Sequence, residues 1–373
     1  MAQAQAQVPS PSSSPLNTLF SLVRSALIPI LAVIFALLIG AIIIVLSGAN
    51  PLSAYGALFD GSFGDARAIN RTIERATPLI FGGLAVSFAF KAGLLNIGAQ
   101  GQLIFGAILA GYIGFAFTGL PAIVHIPLAL LIGGLMGALW GGIPGLLKAY
   151  TGAHEVITTI MLNYVAFNIT DYLSNGPWKD ASPGNIVART PAIAESAALP
   201  TLGPVPLGFV LALVAVLVVW WLIWRMTFGF ELRTVGQNPN AAHYAGMSVR
   251  MVTVLALVIS GALAGLGGAI ETLGVNGRFQ PGFNVGLGFT AITVALLART
   301  SPFGVIPAAL LIGAMQAGTS RMQFDSGVAP EIIEVVQALI LFFVAADIVI
   351  RWILRIRSGE GDQVTLSSGW GQS

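Results

Sequence analysis

Residues Thr227–Val249 have the sequence TFGFELRTVGQNPNAAHYAGMSV, a polar island with an apolar run of membrane-spanning length on each side. Within this island, Asn240 is of the residue type that accepts hydrogen bonds from the first backbone N–H groups of a helix. Residues 241–245 suit a short helix, and Gly246 supplies the left-handed backbone that ends it. A membrane protein gains little from a short capped helix outside the bilayer unless something docks there. The island therefore predicts a soluble partner.

The composition indicates a polytopic membrane protein. Hydrophobic residues make up 56% of the 373 residues and charged residues only 9%, with a mean hydropathy of +0.86, so a soluble domain would lack the polar residues to cover its surface. The 45 glycines fit helices that pack closely in lipid. A net charge of +2 gives no indication of nucleic-acid binding, and the absence of cysteine excludes disulfides and thiolate metal sites.

Ten apolar segments predict an all-α bundle of about ten transmembrane spans. They are Leu27–Leu46, Ala76–Phe90, Leu103–Thr118, Ala122–Leu147, Val156–Leu173, Leu207–Trp224, Met251–Leu273, Val285–Ala298, Val305–Gly318 and Ile332–Ile350. We expect a disordered cytoplasmic tail over residues 1–24, a transmembrane domain over 25–357 that includes the cytoplasmic loop 225–250, and a flexible cytoplasmic tail over 358–373.

The arginines and lysines predict the orientation. Ten crossings that start with the N-terminus inside bring the following basic positions to the cytoplasmic side: Lys91, Lys148, the 225–250 loop, Arg299 and the tail with Arg351, Arg355 and Arg357. Both termini are then cytoplasmic. Residues 48–75 and 175–206 become external loops, and the first of them is external despite three arginines.

Four of the ten segments, those that start at Ala76, Leu103, Val285 and Val305, are shorter than the roughly 17 residues of a straight span. They predict helix breaks that face protein or a cavity instead of lipid. The alternative is that these boundaries are too tight, or that eight spans are combined with re-entrant hairpins. Glu155-Val-Ile and Glu331-Ile-Ile open the fifth and tenth segments, which indicates an inverted five-plus-five repeat unless this three-residue match is coincidence.

Polar side chains inside the apolar segments are the candidates for a substrate pathway. Asn96 and Gln100 lie on one face if KAGLLNIGAQGQ is helical, and together with Gln102 they lie beside three glycines. The alternative is that each amide ties neighbouring helices together. Leucine at Asn96 or Gln100 is expected to impair transport in the first case and assembly in the second. The fifth segment adds Asn163 and Tyr164.

Three further candidates lie towards the end of the chain. Glu271 is a carboxylate within an apolar segment and counts as a functional hypothesis, although it could equally pair with Arg278. Phe283 and Asn284, in QPGFNVG, offer a ring-shaped solute an aromatic face and an amide, or they belong to an ordinary loop. Asp347 lies one turn from Arg351, which favours an ion pair within the last helix.

The sequence contains no pattern that indicates catalysis or a metal site. No GxxxxGK[ST] phosphate loop, HExxH pair or GxSxG elbow is present. We therefore expect a transport subunit without cofactor or metal, which relies on another chain for any ATP hydrolysis.

Several stretches resemble the permease subunits of bacterial ABC importers in the simple-sugar and branched-chain amino-acid superfamily, and most of all its nucleoside branch. The stretches are ATPLIFGGLAVSFAFKAGLLNIGAQGQLIFGA, EVITTIMLNYVA, the island followed by ISGALAGLGGAIE, and GFTAITVALLARTSPFGVIPAALLIGA. The resemblance covers roughly residues 50–357. It implies a type II ABC importer fold and a chain in the cytoplasmic membrane that moves a nucleoside or a similar small solute.

The resemblance also implies partners and a coupling site. The partners would be an ABC ATPase subunit that binds ATP and Mg, a second permease copy or paralogue, and an extracytoplasmic solute-binding lipoprotein. The island would dock on the ATPase through Arg233, Gly236, Asn238, Pro239, Asn240, Ala242, His243, Tyr244 and Gly246. The alternatives are a sugar or branched-chain amino-acid permease and, from another class, a stand-alone secondary transporter or channel. Such a transporter would carry more ionisable residues within its apolar segments.

Overall fold

The structure, a computed structural model, describes residues 15–282 and 286–345. Its α-helices in this part of the chain are α1 Pro15–Leu46, α2 Pro51–Phe63, α3 Ala66–Lys91, α4 Ala99–Ala116, α5 Ala122–Thr151, α6 Glu155–Asn175, α7 Leu207–Arg225, α8 Thr227–Gln237, α9 Pro239–Tyr244, α10 Val249–Glu271, α11 Leu287–Leu297, α12 Pro302–Ser326 and α13 Glu331–Ala345. A 3₁₀ turn (Glu195–Ala197), a π-helical turn (Thr272–Asn276) and an antiparallel pair of two-residue strands (β1 Thr201–Leu202, β2 Val205–Pro206) complete the described elements.

The ten predicted apolar segments each coincide with a helix, which confirms an all-α polytopic membrane bundle. Seven helices of the described part are long and apolar enough to cross a membrane: α1, α3, α4, α5, α7, α10 and α12. The helices α6, α11 and α13 cover the other three segments. The helices α2 and α8 were not predicted, because neither sequence forms a continuous apolar run.

Three of the four segments predicted to be short are full-length helices. The helices α3, α4 and α12 have 26, 18 and 25 residues. The predicted boundaries were wrong because α3 begins and α12 ends with polar turns that continue the helix beyond its apolar part. Only α11 is short, and its 11 residues span about 16 Å, roughly half of a hydrocarbon core.

The predicted tails fall largely outside the described residues. Residues 1–14 and 346–373 lie outside them, including Asp347, Arg351 and the predicted tail 358–373. At the N-terminal end, α1 begins at Pro15, so helix already occupies part of the predicted tail 1–24.

Glycines bring the backbones of α5 and α10 together. A Cβ atom at Gly137 of α5 would lie 2.2 Å from the carbonyl oxygen of Gly261 on α10, and one at Gly261 would lie 2.2 Å from the oxygen of Gly137. One turn along, a Cβ atom at Gly265 would lie 2.4 Å from the carbonyl oxygen of Gly133. The two backbones are therefore in direct contact, which is how small residues let helices associate in lipid.

Helix contacts support a repeat that relates the two halves of the chain, and its inversion stays a prediction. In one half, α4 contacts α5 and α6, and in the other α11 contacts α12 and α13. Across the halves, α10 packs on α4 and α5 just as α3 packs on α11 and α12. Glu155 and Glu331, whose sequences suggested the repeat, are the first residues of the corresponding helices α6 and α13.

The bundle has two distinct ends. At the first, called the island end, Lys91 and Lys148 lie with the island, since Gly236 touches the Lys91 backbone and shares a cavity with Lys148. This grouping agrees with the sequence analysis, which placed Lys91, Lys148 and the 225–250 loop on the same side of the membrane. At the second, called the loop end, residues 176–206 cover the segment that follows α10, because Leu199 and Thr190 bond to Leu273 and Phe279.

Candidate functional site

At the island end, the cap of the short helix α9 lies two residues before the predicted cap. The side-chain oxygen of Asn238, not Asn240, accepts a hydrogen bond from the Ala241 N–H at 3.0 Å. The prediction was wrong because Pro239, which has no N–H to donate, occupies the first helical position and makes the residue before it the cap. Gly246 follows the helix with φ +81°, as predicted.

The helix α9 presents almost all of its surface to solvent. Ala242 is its one buried residue, while Asn240, His243 and Tyr244 are exposed, with 91% of Tyr244 accessible. The His243 and Tyr244 rings meet edge to face at 6.3 Å. An aromatic side chain exposed at the tip of a capped helix is a common anchor for a partner protein.

The helix α8 connects α9 to the membrane bundle. Leu232 of α8 is fully buried, and a Cβ atom at Gly236 would lie 2.2 Å from the Lys91 carbonyl oxygen at the end of α3. The Arg233 guanidinium lies over the Trp224 ring of α7 at 4.2 Å. A rigid displacement of α9 would therefore reach the ends of α3 and α7 through α8.

A cavity of about 290 Å³ lies beside this connection. Gly236 and Pro239 of the island line one wall, and Lys148 and Glu155 line another. Lys148 and Glu155 form an ion pair of 2.9 Å that joins the end of α5 to the start of α6. The island and the α5–α6 turn thus form one continuous surface.

Below the island, Asn96 belongs to a buried amide network. Its side-chain nitrogen donates to the Gln102 carbonyl oxygen and to the Ser260 hydroxyl, both at 2.8 Å, and Ser260 donates to the Ala85 carbonyl at 2.6 Å. Asn96 is 0% exposed and precedes α4, which begins at Ala99, so the helical face assumed for Asn96 and Gln100 does not exist. The network ties α3, α4 and α10 together.

Gln100 and Asn163 make similar links between elements. The Gln100 side-chain oxygen accepts a bond of 2.7 Å from the Gly288 N–H in the first turn of α11. Asn163 of α6 accepts from the Gly101 N–H at 2.8 Å and donates to the Ile97 carbonyl at 3.0 Å. Each amide thus satisfies backbone groups within the bundle, as the helix-tying alternative describes.

Tyr164, the neighbour of the buried Asn163 on α6, points outward. Tyr164 is 61% exposed, and the outward face continues along the helix with Asn168, Asp171 and Tyr172. The part of this face near Tyr164 is apolar, with Ile157 and Met161 exposed, whereas a carboxylate and an amide at its loop end are costly against hydrocarbon. The sequence analysis included Tyr164 and missed the other three, although they follow Tyr164 by four, seven and eight residues, a helical spacing that could have indicated them.

The outward face of α6 borders a cavity of about 200 Å³ near the loop end. Its other wall is the non-helical segment 279–282, with Phe279 and Gln280, which leads down to α11. Because Gly288 at the start of α11 bonds to Gln100 low on α4, this segment descends into the bundle. Non-helical backbone at such depth is tolerated only where it contacts protein or a water-filled cavity.

The long loop holds this descending segment from above. The Thr190 N–H donates to the Phe279 carbonyl at 2.9 Å, and the Thr190 hydroxyl accepts from the Phe279 N–H at 3.0 Å. Asp180 pairs with Arg189 at 3.1 Å and with Arg278 at 3.6 Å. Hydrogen bonds from Ser182, followed by the charge of Arg189, hold the pKa of Asp180 below its usual value.

Glu271 and Arg278 each have another partner. Arg278 pairs with Asp180, whereas Glu271 is bonded by the Asn276 side chain and lies near Arg75. Between the two residues, the π-helical turn and the left-handed Gly277 redirect the chain. Phe283 and Asn284, the remaining pathway candidates, lie outside the described residues.

Comparison with known proteins gives the family. Residues 68–345 match the model of the branched-chain amino acid transport system permease component. The chain belongs to this permease family. As a permease component, it is a non-catalytic transport subunit and a multi-pass membrane protein.

Three curated relatives illustrate the range of solutes within the family. The chain is 43% identical to the guanosine ABC transporter permease NupP of Bacillus subtilis, with 88% of this chain and 95% of NupP covered. It is 37% identical to the nucleoside permease NupB of Lactococcus lactis, with 93% and 98% covered. It is 36% identical to the glucose permease TsgB13 of Haloferax volcanii, with 84% and 86% covered.

Proposed function

We propose that this permease carries a nucleoside across the cytoplasmic membrane of a bacterium, as one subunit of an ATP-driven importer. The observation that carries the proposal is the similarity to NupP and NupB, which extends over nearly the whole length of both. The similarity to TsgB13 favours a simple sugar as the second candidate.

In the proposed complex, α9 docks on the ATPase subunit. The exposed His243 and Tyr244 and the single buried anchor Ala242 support this role, since the helix is held to the bundle on one side and open on the other. ATP and Mg bind to the ATPase subunit, and this chain contributes no cofactor site. Motion of the ATPase then reaches the bundle through α8 and its contacts with Lys91 and Trp224.

The orientation follows from this docking. The island end is cytoplasmic, together with both termini, and the loop end meets the extracytoplasmic solute-binding protein. The grouping of Lys91 and Lys148 with the island supports this orientation through the positive-inside rule.

The solute route runs along the outward face of α6, opposite a second permease copy or paralogue. Asn168 and Asp171 make the loop end of this face costly to expose to lipid, which supports contact of that end with another subunit or water. The aromatic rings and amide on this face can contact a nucleoside by stacking and hydrogen bonding.

Reconstitution tests the proposal directly. The permease, its ATPase and its binding protein are placed in proteoliposomes, and ATP-dependent uptake is measured for labelled guanosine, other nucleosides, glucose and leucine. We expect uptake of at least one nucleoside with ATP and none without it. Preference for glucose or leucine would contradict the substrate assignment.

The chain alone should be inert. In liposomes with this permease but no ATPase, we expect no nucleoside movement down a gradient. Movement at the rate of the full complex would instead identify a stand-alone transporter or channel.

A further inference from the structure

The cavity between α6 and the segment 279–282 has a chemical character that the family assignment does not explain. Two aromatic residues, Phe167 and Phe279, line it together with a carboxylate, Asp171, and two amides, Asn168 and Gln280. This combination of a few polar groups among aromatic rings is typical of a site for a small polar ring system.

Asp171 is the one ionisable residue among the cavity-lining residues. One of its oxygens accepts a hydrogen bond of 3.0 Å from the Asn175 amide, and its other oxygen accepts no hydrogen bond from any residue of 15–282 or 286–345. No ion pair with Asp171 occurs in those ranges either. The carboxylate is exposed and keeps acceptor capacity for a ligand that donates hydrogen bonds.

The two amides have different roles in the cavity. The Asn168 side-chain nitrogen donates to the Tyr164 carbonyl of its own helix at 2.7 Å, which turns it away from a ligand and leaves its oxygen as an acceptor. Gln280, in the opposite wall, is half-buried, and its side chain makes no hydrogen bond to another residue of the described ranges. The walls therefore supply one carboxylate, one amide oxygen and one complete amide.

The position of Asp171 suits a solute that enters from the loop end. Asp171 lies four residues before Asn175, the last residue of α6, and therefore about 6 Å below the end of the helix. A solute released at this end meets the carboxylate before it reaches Asn168 and Tyr164, which lie successively deeper on the same face.

We propose that this cavity is the entry subsite for the nucleoside and that Asp171 accepts hydrogen bonds from the ribose 2′- and 3′-hydroxyls. The inference rests on the proposed nucleoside function. Adjacent hydroxyls of a ribose are two donors at fixed spacing, which one carboxylate accepts together. The base then lies among Phe167, Phe279 and Gln280. The same negative charge repels phosphorylated solutes, so the subsite admits nucleosides and excludes nucleotides.

The experiment compares guanosine with 2′,3′-dideoxyguanosine in proteoliposomes that contain the complete complex. Uptake kcat/KM is measured for both solutes with the wild-type permease and with Asp171→Asn, Asp171→Glu and the control Glu195→Gln. Glu195 is an exposed acid of the long loop that does not line the cavity, so the control removes one charge at the same end. The binding protein is the same in every sample, so its own discrimination between the two solutes cancels when the ratio for a variant is divided by the ratio for the wild type.

We expect Asp171→Asn to lower the guanosine preference roughly ten-fold, the factor of one charge-assisted hydrogen bond. Asp171→Glu should keep most of the preference, and Glu195→Gln all of it. An unchanged ratio in Asp171→Asn, or an equal loss of uptake for both solutes, would overturn the subsite. Failure of the wild-type complex to transport any nucleoside would instead overturn the proposed function, so the two failures are distinguishable.

Discussion

Replacing Gly246 by valine should uncouple ATP hydrolysis from uptake. Gly246 has φ +81°, and a Cβ atom at this position would meet no other atom within 4 Å, so the cost of the substitution is purely conformational. Left-handed backbone costs a residue other than glycine about 1–2 kcal/mol of conformational free energy, and it costs a β-branched residue more. One helix cap stabilises a helix by about 1 kcal/mol. The strain from the substitution is therefore comparable to the free energy that stabilises the end of α9. The ratio of correctly placed to misplaced α9 should therefore fall roughly 5- to 30-fold.

Uptake and ATPase activity are measured in the same proteoliposomes, with solute binding to the external receptor as a reference. We expect hydrolysis to persist or to lose its dependence on solute, while uptake falls in proportion to the misplaced helix. The matched control is Gly119→Val, which introduces the same strain at φ +96° between α4 and α5, also with no atom within 4 Å. Normal uptake with full solute stimulation in Gly246→Val would refute the coupling role of the island. Uncoupling by Gly152→Val, in the α5–α6 turn at φ +72°, would then locate coupling near Lys148 and Glu155.

Three further outcomes are expected from the packing and the charges. Asn96→Leu should lower the melting temperature of the purified permease, since it leaves buried partners unsatisfied at a cost of about 1–3 kcal/mol. An unchanged melting temperature with lost transport would instead favour the pathway role of Asn96. Gly137→Ala should prevent α5 from packing on α10 and reduce the folded yield in detergent, whereas Gly56→Ala, with no atom within 4 Å, should leave it unchanged. The pKa of Asp180 is lowered in the folded protein, so its charge stabilises the loop 176–206. This stabilisation is fully present above about pH 4, the usual pKa of aspartate, and it is lost as the pH falls through the lowered pKa. Asp180→Asn should therefore raise amide hydrogen exchange in this loop at pH 7, and equal exchange in both proteins would contradict the role of the ion pairs.

Local chemistry explains which details of the island were predictable. Gly246 could be identified because a helix end commonly needs left-handed backbone, and glycine adopts it without strain. The start of α9 was misassigned to Asn240, although Asn238 directly precedes Pro239 and the proline rule favours it. The amphipathic helix α8 was missed because its buried side, with Leu232, exists only through contact with the ends of α3 and α7.

The candidate pathway residues show that sequence patterns do not predict the partner of a buried polar side chain. An amide in an apolar segment must find a partner, but the pattern does not say whether that partner is protein or solute. Asn163 and Tyr164 are neighbours in sequence, and only the packing of α6 directs the first into the bundle and the second outward. Asp171 was not considered at all, because it acquires its possible role only from the descending segment opposite it.

The sequence by itself determined that this protein lies in a lipid bilayer, that it is all-α and which family it belongs to. These properties depend on composition, on long apolar runs and on local motifs, which neighbouring residues along the chain specify together. The tertiary structure alone decided which polar groups bond to each other, where non-helical backbone enters the bundle and which face of α6 is left outward. Those features arise from contacts between residues far apart in the chain, such as Gln100 with Gly288 and Asp180 with Arg278, and their partners follow from packing geometry instead of sequence spacing.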